Sequence, residues 1–517
     1  MKKIRIRDKI ENIKSQKGEI RLKKTKKYIF LFLILLILTN IIFIPFLKGH
    51  MATDLFNIFN KGYEKYTIEN SLLDGRIFAG LITEIMDHFQ IPIVVYSSII
   101  LEIAIIISCV TIMILAKIIK DIKKPKNLLS EVILYIAIYY TIFNVLYIEN
   151  MYYIEAGVMA ISLLFYILAA KILVEQKKGY LIKAFFMLCL GIMSYQGTIS
   201  MFFLSTLVFS MCLGKNYKEI IKIMLKAIGI AISGVCINNI QIKMIEEIYQ
   251  IKQERGLDSS NIIENTERIL MNAINIIKVT GGYFPKYTYI IIIAIIESCI
   301  FIKVKKQNDQ KPDKRNQIIL FEQIAIILLG ILFSYSISII NTTSFFSGRI
   351  RFSMGALVGF MWIHLWVKTD FAEKNYLMNR ILVVILILYG LINTANYSII
   401  MLEHKEVNRM DEQAVLQLKQ KVEQYERKNQ IKVTKIAVVL KKGQTEKAYY
   451  KELYYKNFIM HSAMKTEWSI IGCYNYYTGE KLKEYKPSEE EKSEYLAKNQ
   501  EDYLCIGDIL YITAYMY

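Results

Sequence analysis

Apolar runs of roughly 20 residues recur along this chain and alternate with short stretches crowded with lysine. A run of that length matches the hydrocarbon thickness of a bilayer, about 30 Å at 1.5 Å per helical residue. Such a pattern fits a polytopic membrane protein and leaves little room for a water-soluble core. Composition agrees: 54% of the 517 residues are apolar, yet the formal net charge is +19. Lys and Arg sit at the ends of the apolar runs instead of being scattered over folded surfaces, so the charge is first a topology signal. Nucleic-acid binding is disfavoured on the same ground.

The basic segment 1–27 precedes a first run at 28–47, which is longer than a signal-peptide core and has no small-residue cleavage site behind it. The positive-inside rule then puts the N-terminus in the cytoplasm and the carboxylate-rich stretch 48–91 outside. Further runs at 92–116, 128–147 and 156–173 alternate with lysine clusters in the same sense. The stretch 184–213 obeys the rule only as two short helices turning at Ser194-Tyr195-Gln196-Gly197, and a turn at that depth must be buried or line a cavity. Runs at 223–240, 287–302, 318–340 and 352–367, with one ending near Leu402, bring the total to about eleven spans. A second external loop covers 241–286, with amphipathic helical spacing. The transmembrane domain is thus 28–402, and parity places 403–517 outside as a small α/β domain. Its strands are expected in IKVTKIAVVL and WSIIGCYNYY.

Neither a disulfide framework nor a metal motif is visible. Cys109, Cys189, Cys212, Cys236 and Cys299 lie in apolar runs; Cys473 and Cys505 could bridge only in an extracytoplasmic tail, and lone cysteines are more often small apolar residues. His50, His88, His364, His404 and His461 are scattered, so no cofactor is called for and Mg or Mn has no support in the sequence.

Polar residues collect instead on the outer side. Asp54 follows the first span closely, Asp74-Gly75-Arg76 opens an amphipathic helix, Glu149 and Glu155 flank the fourth span, Tyr195-Gln196 forms the turn, and Arg349 and Arg351 begin the tenth span. Transfer of a sugar from a polyprenyl phosphate needs a base for the acceptor hydroxyl, cations for the departing phosphate and access from lipid. Asp54, Asp74 and Glu149 are the candidate catalytic carboxylates, and Arg76, Arg349 and Arg351 the candidate phosphate ligands. Glu155, Tyr195 and Gln196 are the candidate substrate contacts. Each has a plainer alternative. Asp54 reads also as a solvated interfacial carboxylate, Asp74, Glu149 and Glu155 as helix-terminal residues, the late arginines as headgroup anchors, and Tyr195-Gln196 as partners for the turn's own backbone. Glu102 and Glu297 fall inside spans, where a carboxylate is costly and a functional role is the default.

The series Asp54, Gly75-Arg76, IENMYYIE, SYQG and an Arg opening a late span resembles the glucosyltransferase Gtr type II family of membrane enzymes that decorate surface polysaccharides. The resemblance covers about residues 28–400 and implies a GT-C-like fold. It also implies an undecaprenyl-phosphate glucose donor, a surface glycan acceptor, and a separate synthase and flippase supplying the donor at a bacterial plasma membrane. Asp54 stands where that family often has an Asp-Asp pair, Arg76 at its Gly-Arg, Glu149 at the Glu of the turn, Glu155 where Asp is common, and Gln196 at its Tyr-Gln. Two departures, Thr53 in place of the first acid and Glu for Asp at 155, leave the identity of the base open. Two other readings share the membrane topology: a lipid-linked glycan transporter, favoured by Glu102 and Glu297, and a polymerase or ligase using a pyrophosphate-linked donor.

Overall fold

A computed structural model describes residues 2–252, 262–279, 284–308, 314–335, 348–369, 377–441, 462–498 and 502–515. It is a helical bundle with a layer of short helices at one end and a small mixed domain at the C-terminus. Helices α1 (Lys2–Leu47), α5 (Ile93–Ile122), α8 (Ala156–Glu175), α11 (Tyr217–Tyr249), α14 (Lys314–Ser334), α15 (Gly348–Lys368) and α16 (Leu377–Asn429) each contain a stretch long and apolar enough to cross a membrane. Helices α6 (Leu128–Ile142) and α7 (Ile148–Tyr152), joined by a 3-10 turn at Val145–Tyr147, form one further span bent by 42°. Helices α9 (Tyr180–Ser194), α10 (Ser200–Cys212) and α13 (Thr288–Asn308) carry shorter apolar stretches. The chain is therefore a helical polytopic membrane protein. The apolar runs of the sequence fall on these helices as far as they are described, the end of the run at 318–340 lying outside the described residues.

Packing depends on small residues, because lipid offers apolar side chains nearly what a neighbouring helix does and close approach decides association. The sharpest case is Gly355-Ala-Leu-Val-Gly359 on α15, against α6. A Cβ at Gly355 would lie 2.0 Å from Asn144 Oδ1, and one at Gly359 2.7 Å from Thr141 Cα and 2.8 Å from its nitrogen. On the other side of the bundle, a Cβ at Gly191 of α9 would meet the Tyr166 ring at 2.6 Å.

The stretch 184–213 is indeed two helices. The first ends at Ser194, Tyr195 is extended (φ −160°, ψ 114°), and a 3-10 turn at Gln196–Thr198 leads into α10. The break leaves backbone groups without helical partners, and neighbours take them up: Tyr166 Oη donates to Tyr195 O (2.9 Å), while Ser162 and Thr198 share a hydroxyl bond (2.8 Å).

The two ends of the bundle differ. At one, Lys27 and Lys120 both pair with Glu131 (2.8 and 3.1 Å), and Lys123 donates to the carbonyls of Trp366 and Thr369 where α15 ends. Buried Glu322 lies beside His364 (2.8 Å) and Lys368 (3.2 Å) there. At the opposite end, α2 (Thr53–Lys61), α3 (Tyr63–Tyr66), a π turn (Thr67–Leu72) and α4 (Ile77–His88) form a layer between α1 and α5. Ile77, Leu81, Ile85 and Phe89 give α4 an exposed apolar stripe, and its other face packs towards α9. The amphipathic spacing expected in 241–286 is realised in α12 (Ile262–Val279), where Leu270, Met271 and Ile274 are exposed.

The mixed domain holds a four-stranded sheet among the described residues, ordered β2 (Lys483–Glu484), β1 (Lys435–Lys441), β4 (Ile509–Tyr515), β3 (Tyr503–Ile506). The first three strands are parallel and β3 runs antiparallel to β4. Strand alternation divides the faces. Ile436, Leu510, Ile512 and Ala514 join the main core with α17 (Ile470–Thr478), while Ala437, Val439 and Tyr511 meet Tyr495 of α18 (Glu489–Lys498). The strand expected in IKVTKIAVVL is β1. The one expected in WSIIGCYNYY is a correction: that segment is α17, whose Ile470, Ile471, Cys473 and Tyr474 are all buried. Cys473 and Cys505 are free thiols. The domain boundary placed at 402/403 falls inside α16, which runs unbroken through it.

Candidate functional site

The turn Asp74-Gly75-Arg76 fixes one half of the site. Gly75 has φ +73°, and an added Cβ would lie 2.4 Å from Asn238 Nδ2 on α11, so the turn needs glycine for both its backbone and its closeness to that helix. Arg76 is thereby turned inward. Its guanidinium pairs with Glu155 (2.7 Å) and Asp74 (3.0 Å) and lies over the Tyr195 ring, 5.2 Å from the centroid. Gln196 Nε2 donates to Asp74 O (2.8 Å), tying the broken-helix turn to this loop. Burial alone would lower the Arg76 pKa; the Glu155 and Asp74 carboxylates outweigh it, and the guanidinium is held above its ordinary value.

The second half repeats the plan. Arg349, at the start of α15, donates its backbone N–H to Glu149 Oε2 (3.0 Å), has its Nε 3.8 Å from Glu149 Oε1, and stacks over Tyr153 at 4.2 Å. Each arginine thus sits between a carboxylate and an aromatic ring. Both rings act as cation–π partners, an arrangement worth about 2 kcal/mol when desolvated. The halves adjoin: Arg76, Arg349, Glu149 and Glu155 all lie within electrostatic reach of Tyr195. Asp54, in the first turn of α2, acts in the same way on Tyr66, Tyr152, Tyr153 and Arg349.

The residues singled out in the sequence therefore fall into one cluster, with one placed elsewhere. Asp54, Asp74, Arg76, Glu149, Glu155, Tyr195, Gln196 and Arg349 meet at the end of the bundle opposite the lysine cluster. Arg351 instead donates to Asn272 Oδ1 (3.0 Å) on α12, which also accepts from Tyr335 (3.2 Å). No side-chain capping bond is formed at the helix starts beside Asp74, Glu149 or Glu155; those carboxylates face arginine. Among the described residues, several buried polar atoms around the cluster have no hydrogen-bond partner, Asn57 Oδ1, Arg76 Nε, Asn150 Oδ1 and Glu155 Oε1 among them. Beyond the C-terminal end of α2, a cleft of about 460 Å³ opens between Lys61, Lys65, Glu69 and Asp87.

Tyr153 was missed by sequence reasoning although it lies inside the quoted IENMYYIE; nothing in a run of aromatics marks the one that will cover a cation. Asn238, against which Gly75 packs, carries no local signal at all. Of the carboxylates within spans, Glu102 accepts from Asn40 (3.2 Å), and the buried Glu297 carboxylate oxygens have no hydrogen-bond partner among the described residues. Among the described residues no three His, Cys, Asp or Glu side chains are grouped so as to hold a metal ion.

Fold and site together define a polytopic helical membrane protein with a mixed arginine–carboxylate cluster at one end of its bundle. Comparison with protein-family models, curated proteins and solved structures gives no match for this chain.

Proposed function

We propose that this protein is a membrane glycosyltransferase that moves a hexose, glucose by the family resemblance, from undecaprenyl phosphate to a surface polysaccharide or wall polymer. The setting is the outer face of a bacterial plasma membrane, with about eleven crossings, a cytoplasmic N-terminus and the C-terminal domain outside. The observation that carries the reading is the juxtaposition of Arg76 and Arg349, each held rigid by a carboxylate and a tyrosine ring, with Asp54 on the neighbouring helix.

The chemistry follows from those groups. Asp54 takes the proton of the acceptor hydroxyl, whose oxygen attacks the anomeric carbon; the bond from that carbon to the phosphate oxygen breaks, and its electron pair leaves on the polyprenyl phosphate. Arg76 and Arg349 bind the growing charge on that phosphate. Asp54 is preferred as base over Glu149, which is fully buried, and over Asp74, which is paired with Arg76. A base of this kind contributes about 10²–10⁴-fold in rate. With four carboxylates beside two guanidiniums the cluster has little positive charge to spare, which penalises a doubly charged donor more than a singly charged one. A phosphodiester-linked sugar suits it better than the pyrophosphate-linked donor of a polymerase or ligase. The partnerless buried atoms Asn57 Oδ1, Asn150 Oδ1 and Glu155 Oε1 suit the hydroxyls of a sugar.

The test is transfer by purified protein from radiolabelled undecaprenyl-phosphate glucose to a membrane or wall extract. Asp54→Asn is expected to abolish transfer by at least about 10²-fold with donor binding kept, and Arg349→Ala to weaken donor binding. No transfer by the wild type, together with movement of a lipid-linked glycan across proteoliposomes, would establish the transporter reading, for which Glu297 is the supporting residue.

A further inference from the structure

Helix α2 begins without a capping side chain: its N-cap residue is Ala52, and no side-chain bond is made there. Its direction, and with it the aim of Asp54 in its first turn, must be set from outside. Three groups do so. The Asn408 side chain of α16 meets the Met51 backbone on both sides, Nδ2 donating to Met51 O (2.9 Å) and Oδ1 accepting from Met51 N (3.0 Å). Tyr152 Oη accepts from Thr53 N (3.3 Å). Gly472 of α17 lies against the helix itself, where a Cβ would be 1.9 Å from Phe56 O and 2.6 Å from Phe56 C. Those are backbone atoms and cannot swing aside. Tyr476 and Tyr477 close on the Phe56 ring at 5.8 and 5.7 Å.

Asp411, one turn along α16 from Asn408 and fully buried, secures the other partner. It accepts from Ser462 Oγ, from Ala463 N (2.8 Å) and from Met464 N (3.4 Å), fixing the segment that leads into α17. One stretch of α16 therefore holds both the entry to α2 and the element packed on α2.

We infer that Asn408 is a positioning residue for Asp54, and that the C-terminal domain acts through Asn408 and Gly472 as a brace that sets the angle of the base towards the acceptor. This rests on the proposed glycosyl transfer with Asp54 as base. Removing the Asn408 amide strands the Met51 N–H and C=O and lets α2 shift, and a misplacement of about 1 Å at a reacting group costs on the order of 10²-fold in rate. Arg76 and Arg349, carried by other elements, keep their places.

The experiment compares wild type, Asn408→Ala and Gly472→Ala in two measurements: steady-state transfer from undecaprenyl-phosphate glucose, and hydrogen exchange of the amides in 51–61. For both variants kcat is expected to fall about 10–100-fold while the donor KM stays within about twofold, and exchange in 51–61 to rise about tenfold with the exchange of α5 and α8 unchanged. A matching rise in donor KM, or unchanged exchange in 51–61, overturns the brace. So does faster exchange with kcat intact. A wild type that transfers no glucose refutes the enzymatic reading instead; exchange then judges the brace by itself, and unchanged protection of 51–61 in Asn408→Ala rejects it. Gly472→Ala reaches α2 from the other side and decides the matter if Asn408→Ala does not fold.

Discussion

Arg76 is charged under every condition in which the protein can be handled, because Glu155 and Asp74 hold its pKa above an already high ordinary value. Its contribution to stability is fully present below the unfolded arginine value and is lost only above it, far outside any working range. A falling acid limb in a pH–rate profile must then come from another group, a carboxylate or a histidine. Asp54→Asn, if it leaves measurable turnover, is expected to flatten that limb, read as kcat between pH 4 and 8, roughly the span from carboxylate to neutral titration. Gly75 offers a separate test. Gly75→Ala meets both a left-handed backbone and the Asn238 side chain. It should destabilise by about 1–2 kcal/mol and lower the melting temperature in detergent. Gly75→Asn eases the backbone cost, since Asn tolerates that region, but it brings the same Cβ and a longer side chain against Asn238 and should be no milder. Residues at this scale were partly legible. The Asp-Gly-Arg turn, Glu149, Glu155 and Arg349 stand out because ionic side chains beside apolar runs are conspicuous. That Arg349 would keep company with Tyr153 and Arg351 with Asn272 was not legible, because α15 turns the two arginines, only two residues apart, towards different neighbours.

Among the elements, α15 is the most tightly constrained. Gly359 faces the backbone of Thr141, whereas Gly355 faces the buried Asn144 side chain, whose Oδ1 accepts from Leu146 N (3.1 Å). Alanine at either position is accordingly expected to destabilise, by several kcal/mol or by failure to accumulate in the membrane, and Gly359→Ala the more, since backbone atoms cannot rotate aside; detergent melting curves or expression levels would rank them. The helix break at Tyr195 could be read from charge alone, since only a turn there returns the following lysines to the same side as the preceding ones. Helix α17 could not. Its Trp-Ser-Ile-Ile-Gly-Cys-Tyr-Asn-Tyr-Tyr run is rich in β-branched and aromatic residues, and a short apolar segment has no period that separates strand from helix. What decides it is tertiary: α17 is wedged between α2 and the sheet, with Gly472 against Phe56.

For the whole molecule, the apolar runs and the lysine clusters lay out the bundle because each span is long, periodic and flanked by charge, the conditions under which sequence is most informative. The way the C-terminal domain returns to α2 is a contact between residues some 400 positions apart, and no local pattern announces it. A reporter fused after Tyr517 should be active only outside the cytoplasm, and one inserted at Asp313 only inside; the reverse result would turn the arginine–carboxylate cluster to the cytoplasmic face and remove the surface polymer as acceptor.

Helix α16 is 53 residues long, about 80 Å as a straight α-helix, against about 30 Å of hydrocarbon. Since it does not break where it leaves the apolar region, and α17 folds back onto α2, the domain at its far end is fastened at two points, by a stiff helix and by the Gly472–Phe56 contact, and not by a tether. Two fastenings remove the freedom that one would leave: the domain cannot swing about the end of α16 without pulling on α2, so a load on the domain is felt at the arginine–carboxylate cluster.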